Sequence, residues 1–139
     1  MRALLQRVAS ASVATDGRTV ATIGPGLLVL LAVGRDDDEG DARWIAAKLP
    51  KLRIFDDDEG RMNHPLGKRE ILCISQFTLY GDVRKGNRPA YTDAAPSEQA
   101  EALYGLVCGL LGAERGLFGA QMRVELVNDG PVTLMVESP

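Results

Sequence analysis

Gly26-Leu27-Leu28-Val29-Leu30-Leu31-Ala32-Val33 is a run of eight residues with no polar side. An amphipathic helix keeps one polar face and a half-buried strand alternates, so the run fits neither pattern. Its length and the Gly24-Pro25-Gly26 turn before it favour a strand buried on both faces. Such a strand needs packing material on each side of its sheet. The run is far short of the roughly 18 apolar residues that cross a bilayer. Met1-Arg2-Ala3-Leu4-Leu5-Gln6-Arg7 has no long apolar core of a secretory signal. Cys73 and Cys108 stand alone in apolar contexts, as reduced thiols do. A cytoplasmic protein without a membrane partner is expected. The chain has 139 residues, which is one domain's worth (1–139) and enough to bury a core without a disulfide or metal staple.

Other elements follow from local signals. Arg2–Val8 reads as a first strand. Ser12–Thr15 and Arg18–Ile23 flank Asp16-Gly17, a two-residue hairpin signal. Arg35–Gly40 is an acidic helix entry, followed by Trp44, Ile45, Lys48 and Leu49 at helical spacing, with Pro50 ending the regular part. Arg53–Phe55 reads as a short strand, Asp56–Gly60 as a turn and Glu70–Phe77 as a second buried strand. Gly81–Ala95 reads as a surface loop. Over Pro96–Leu111 the positions Ala100, Leu103, Tyr104, Val107, Leu110 and Leu111 form a helical stripe. Gln121–Asn128 and Val132–Glu137 are the last two strands, with Asp129-Gly130-Pro131 between them reading first as a hairpin turn. The expected fold is α+β, strand-rich, with two helices.

Counting excludes several chemistries. His64 is the one histidine and Cys73 and Cys108 the two cysteines, too few for a structural zinc site of four such ligands. The acidic runs at 36–39 and 56–59 do not match a calcium loop, because Gly40 or Gly60 at its sixth position puts Ala46 or Leu66 at the twelfth. Sixteen basic and nineteen acidic residues give a net charge of −3, which excludes a globally basic nucleic-acid coat. Arg84-Lys85-Gly86-Asn87-Arg88 is nevertheless locally basic. It reads as a solvated loop or as a phosphate-contacting one. His64, beside Pro65 in a predicted loop, reads as exposed, with a general base as its functional alternative. The two thiols read as packing.

Ser75-Gln76-Phe77-Thr78 ends a hydrophobic strand. Its bland reading is strand-end capping. Its functional reading is a row of backbone N–H groups able to hold an ester oxyanion. Thr78 has a nucleophilic hydroxyl, but no histidine or lysine adjacent in sequence to activate it. At Gly130-Pro131, glycine leaves a backbone that a ligand can approach closely.

These pieces, in this order, resemble the D-aminoacyl-tRNA deacylase family. The resemblance rests on Met1-Arg2-Ala3 with Gln6-Arg7-Val8, Gly24-Pro25-Gly26-Leu27, Leu52-Arg53-Ile54-Phe55 and Ser75-Gln76-Phe77-Thr78-Leu79-Tyr80. It continues through Arg84-Lys85-Gly86, Phe118-Gly119-Ala120 and Asn128-Asp129-Gly130-Pro131-Val132-Thr133. The segments 63–75 and 104–118 are shorter than the family pattern, and Leu117 stands where arginine is expected.

The resemblance implies a homodimer with barrel-like β-sheets and flanking helices. It implies hydrolysis of the ester joining a D-amino acid to the 3′ end of tRNA, with glycyl-tRNA inside the same reading, and no cofactor, metal or DNA partner. It assigns Ser75, Gln76, Phe77 and Thr78 to the ester, with N–H groups near Gln76 and Phe77 as oxyanion donors. A cis Gly130-Pro131 bond would enter the other subunit's site and read chirality, oriented by Arg7. Arg84, Lys85 and Arg88 are candidate tRNA contacts. Either Thr78 or the 2′-hydroxyl of the tRNA would activate the attack, and a chain poor in acid–base side chains fits the second route better. Two other readings compete: a non-catalytic RNA- or ligand-binding β-rich dimer, and a small-ester hydrolase using Thr78.

Overall fold

The structure is a computed structural model describing residues 1–139. In chain order its elements are β1 (Arg2–Thr15), β2 (Arg18–Ile23), β3 (Gly26–Ala32), α1 (Glu39–Lys48), β4 (Phe55–Asp56), β5 (Met62–His64), β6 (Glu70–Ser75), α2 (Ser97–Leu111), β7 (Glu114–Arg115) and β8 (Arg123–Glu137). The main sheet runs β2-β1-β3-β6-β7, with β8 on the other edge of β1 and β4-β5 as a separate pair. β3, β6 and β7 are mutually parallel, and β1 is antiparallel to β2, β3 and β8.

The apolar run behaves as its composition requires. Leu27, Val29 and Leu31 enter one cluster with α1 and α2 residues such as Ile45, Leu49, Leu103 and Val107. Leu28 points the other way, into a second cluster with Val8, Val13, Ile23, Leu72 and Ile74. β6 divides the same way, with Ile71 and Cys73 on the helix side and Leu72 and Ile74 opposite. Alternation along a strand thus serves two cores, and the sheet curls around the smaller one into a nearly closed barrel with both helices outside.

Close approach of β3 and β6 has a price at Gly26. A Cβ added there would lie 1.9 Å from the Glu70 carbonyl oxygen, inside a paired parallel ladder. Gly26→Ala is expected to destabilise by about 3 kcal/mol. The check is a lower urea midpoint at unchanged m-value.

α1 begins where its acidic entry ends. The Asp38 carboxylate accepts from Gly40 N–H at 2.7 Å and Asp41 N–H at 3.3 Å, while Asp41 accepts from Asp38 N–H at 3.0 Å, a reciprocal capping box. Asp16 and Gly17 both have positive φ, 50° and 73°, as the hairpin signal predicts.

Several expectations need correction. β1 is one strand through residue 15, not two pieces. β4 covers Phe55–Asp56 only, and His64 lies on β5, not in a loop. Glu70–Phe77 stops as a strand at Ser75, and Phe77–Tyr80 forms a 3-10 turn. Leu110 is 50% exposed, because the buried stripe on α2 follows Leu103, Tyr104, Val107 and Cys108. The largest correction concerns Asp129-Gly130-Pro131, which is not a hairpin. Residues 123–128 pair with Ala14–Val8 and residues 133–137 with Gln6–Arg2, both antiparallel to β1. The chain keeps its direction, and Asp129–Val132 leave the ladder opposite the single residue Arg7, as in an enlarged bulge.

Candidate active site

Three parallel strands end at one edge of the sheet. The segments following them meet there, as crevices do at the carboxyl ends of parallel strands. The result is a groove of about 600 Å³. Val33 and Arg35 come from beyond β3, Ser75, Gln76 and Phe77 from the end of β6, and Phe118, Gly119, Ala120 and Met122 from beyond β7. Tyr91 and Ala94–Ser97 close the remaining wall.

The 81–95 loop is tied to the end of β3. Arg35 Nε and Nη2 donate to the Thr92 carbonyl at 3.1 and 2.8 Å. Ala95 N–H donates to the Val33 carbonyl at 2.9 Å. Phe77 and Tyr91 meet edge-to-face with ring centres 5.0 Å apart.

The 3-10 turn is held from β1. Arg2 Nη1 donates to the Leu79 carbonyl at 3.0 Å, and its guanidinium lies 4.4 Å from the centre of the Tyr80 ring. Burial and the nearby Asp37 push the Tyr80 hydroxyl up to about 12, so it is no base at neutral pH. Phe77 and Thr78 open the turn, and their N–H groups have no acceptor inside it. Gln76 N–H differs from expectation: it donates to the Leu31 carbonyl at 2.7 Å. Of the two expected oxyanion donors, Phe77 N–H is therefore the one left, with Thr78 N–H next to it.

Thr78 itself is exposed and is not part of the groove lining. Its Oγ1 accepts a hydrogen bond from the Gln76 side-chain amide. Arg35 is the single charged residue of the lining, and no histidine, aspartate, glutamate or lysine contributes. His64 is elsewhere. The Cys73 thiol is hydrogen-bonded to Cys108 and fully buried, which holds it well above the ordinary thiol range and keeps it protonated.

Arg7 and Gly130-Pro131 do not line this groove. The Gly130-Pro131 bond is cis. Arg7 Nε donates to the Asp129 carbonyl at 3.1 Å, next to Gly130, and Arg7 lines a separate concavity with Asp56 and Asp129. Asn128 pins the excursion at both ends: its Nδ2 donates to the Arg7 carbonyl at 2.9 Å and the Val132 carbonyl at 3.1 Å. Thr133 Oγ1 donates to Asn128 Oδ1 at 3.2 Å. Within one chain, then, the Ser75–Phe77 groove and the Gly130-Pro131 excursion are two separate places.

The basic loop is less cationic than its composition. Arg84 donates to both Asp82 oxygens, at 2.8 and 2.6 Å, which holds the Asp82 carboxyl down to about 2. Lys85 and Arg88 remain as the cations without a carboxylate partner. Sequence reasoning missed Arg35, Tyr91 and Met122, whose types and spacing carry no motif. Phe118-Gly119-Ala120 was visible as part of the resemblance, without a role.

Residues 4–137 match the D-Tyr-tRNA(Tyr) deacylase family. A D-aminoacyl-tRNA deacylase of Myxococcus xanthus (strain DK1622) is 53% identical over 146 aligned residues, covering 100% of this chain and 95% of that protein. A solved structure described as "c-Myc DNA Unwinding Element Binding Protein" superposes with a TM-score of 0.94 at 40% identity, covering 100% of this chain and 99% of the other. A second, described as "Structural Analysis of a probable eukaryotic D-amino acid tRNA deacylase", has a TM-score of 0.85 at 19% identity over 98% of both chains and shows the shared fold. No helix is long and apolar enough to cross a membrane.

Proposed function

The chain belongs to the D-Tyr-tRNA(Tyr) deacylase family, an ester hydrolase acting on D-aminoacyl-tRNA, and we propose that it does so as a cytoplasmic homodimer whose site is completed by the partner's Gly130-Pro131 backbone. One observation carries this reading: the groove holding Ser75, Gln76 and Phe77 lacks the Gly130-Pro131 element in its own chain. The outer edge of β8 has no strand beside it, and Val127 and Met135 on β8 are 58% and 45% exposed. A long edge with exposed apolar residues is a surface that a second copy covers well.

Water attacks the ester carbonyl, and the carbonyl oxygen takes up negative charge as the tetrahedral intermediate forms. Phe77 N–H, aided by Thr78 N–H, is the donor proposed for that oxygen. The bond to the 3′-oxygen then breaks. The proton lost by the water passes through the 2′-hydroxyl of the terminal adenosine to the departing 3′-oxygen. Products are the D-amino acid and tRNA with a free 3′ end. Lys85 and Arg88, with Arg84 weakened by Asp82, steer the phosphate backbone.

A filter made of main chain suits the stereochemical task. An apolar pocket distinguishes a methylene by only about 1–3 kcal/mol. A backbone wedge excludes an L side chain by collision and leaves the D direction open to side chains of many sizes. Glycine has no side chain to collide, so glycyl-tRNA falls within the range of substrates.

The test is paired hydrolysis of D-tyrosyl-tRNA and L-tyrosyl-tRNA at equal enzyme concentration with chelator present. Loss of the D ester alone is expected. Equal loss of both would remove the proposed filter. Loss of neither would favour the non-catalytic RNA- or ligand-binding dimer. Thr78→Ala is expected to keep turnover within about tenfold, since its hydroxyl has no activating base. A loss nearer 10⁴-fold would restore Thr78 as nucleophile.

A further inference from the structure

Arg7 is the one buried charged residue of the chain, 5% exposed. A guanidinium taken out of water must place its donors on fixed acceptors. Nη1 donates to the Ile54 carbonyl at 2.8 Å and to Asp56 Oδ1 at 3.1 Å. Nε donates to the Asp129 carbonyl at 3.1 Å and lies 3.3 Å from the Asp129 carboxylate. One set of acceptors belongs to β4 and the residue before it. The other immediately precedes Gly130. Arg7 is thus a strut between β4 and the excursion, and the strut has two anchored ends.

The β4 end is not held by the main sheet. β4 is two residues long and pairs with β5 alone. It is fastened by the buried Phe55 side chain, over which the Arg69 guanidinium sits 4.3 Å from the ring centre. Phe55 therefore fixes where Asp56 stands, and Asp56 supplies the one carboxylate that meets Arg7 from that side. A neutral carbonyl such as Ile54 orients one N–H, whereas a carboxylate adds charge complementarity to a planar fork.

We propose that Asp56 is a positioning residue for stereochemical discrimination: its carboxylate sets the Arg7 fork, and the fork sets the Asp129 carbonyl and with it the pose of Gly130-Pro131. This rests on Gly130-Pro131 being the chirality filter. Asp56 touches neither ester nor amino acid. Its side chain is 49% exposed, and half-exposed ion pairs contribute little to global stability. Removing it loosens one end of a strut. A steric filter depends on tenths of an ångström, and a misplacement near 1 Å is worth about 100-fold in rate.

The experiment compares wild type, Asp56→Ala, Asp56→Asn and Gly130→Ala as full chains, each assayed on D- and L-tyrosyl-tRNA, with melting temperatures measured in parallel. Asp56→Ala is expected to lower the D-to-L ratio of kcat/KM by about tenfold, with the melting temperature near wild type. Asp56→Asn keeps an acceptor for Arg7 without the charge and is expected to recover part of the ratio. A collapsed ratio in Gly130→Ala beside an unchanged one in Asp56→Ala overturns the role of Asp56 and leaves the filter standing. An unchanged ratio in both variants overturns the role of Asp56 together with the filter. A lower melting temperature in Asp56→Ala with an unchanged ratio makes Asp56 a merely structural residue.

Discussion

Gly130→Ala is expected to lower kcat/KM for D-tyrosyl-tRNA by about 100-fold and to erode the preference for the D ester. Gly130 has φ of +124°, a conformation that side chains of L residues rarely adopt. A Cβ built there lies 2.8 Å from both the Val132 amide nitrogen and Val132 Cγ2, and 3.1 Å from Arg7 Nη2. None of these neighbours yields easily. The amide is backbone, and Asn128 already holds the Val132 carbonyl. Arg7 is fixed by Ile54, Asp56 and Asp129. The excursion itself must therefore reshape, which moves the proposed filter. Because Gly130 is exposed on its own chain, the strain costs the fold of that chain only about 1–3 kcal/mol, a shift of several degrees in melting temperature. The check is kcat/KM for both esters with a melt on the same sample. Wild-type selectivity in a folded Gly130→Ala protein would contradict the filter.

Much of the fold was readable because its signals are local. The eight apolar residues from Gly26, the Asp16-Gly17 turn and the acidic start of α1 each reflect a constraint satisfied within a few residues. What failed was long-range. Asp129-Gly130-Pro131 has the composition of a hairpin, and composition reports that the chain turns, not which way it leaves. The direction is set by β1, a strand more than a hundred residues earlier, which takes both halves of β8 along one edge. β5 and β7 were missed for the same reason. Three and two residues long, they exist through partners rather than through propensity.

The candidate site divides similarly. Ser75–Phe77 could be placed at a strand end because Ile71–Ile74 announce the strand. The resemblance, not periodicity, marked Arg7, and it gave a role to Gly130, which the sequence alone offers only as an open backbone beside a proline. Gln76 shows the limit of reading a donor from its position, since a distant carbonyl on β3 had already taken its N–H. Asp56 was hidden in an acidic run that reads as a solvated turn. It gains a task only when folding brings Arg7 beside it.

A D-aminoacyl-tRNA ending in 2′-deoxyadenosine is expected to be hydrolysed about 1,000-fold more slowly than its ribose counterpart, with its affinity changed far less. Arg35 is the groove's one charged side chain, Tyr91 is a phenol, Met122 a thioether, and every other lining residue is aliphatic, aromatic, amide or hydroxyl. Thr78 Oγ1 accepts from the Gln76 amide and has no base beside it, His64 lies on the separate β4-β5 pair and Cys73 stays protonated. A positioned acid–base group contributes about 10²–10⁴ in rate, and the lining offers no histidine, carboxylate, lysine or thiol to serve as one. The group adjacent to the scissile bond that can accept and return a proton is the substrate's own 2′-hydroxyl. Its removal therefore takes away the proposed relay while the proposed phosphate contacts and the aromatic wall of Phe77 and Tyr91 remain. Single-turnover rates on matched ribose and deoxyribose substrates decide the matter. Equal rates would mean that water is activated by a group of the protein after all, and attention would return to Thr78.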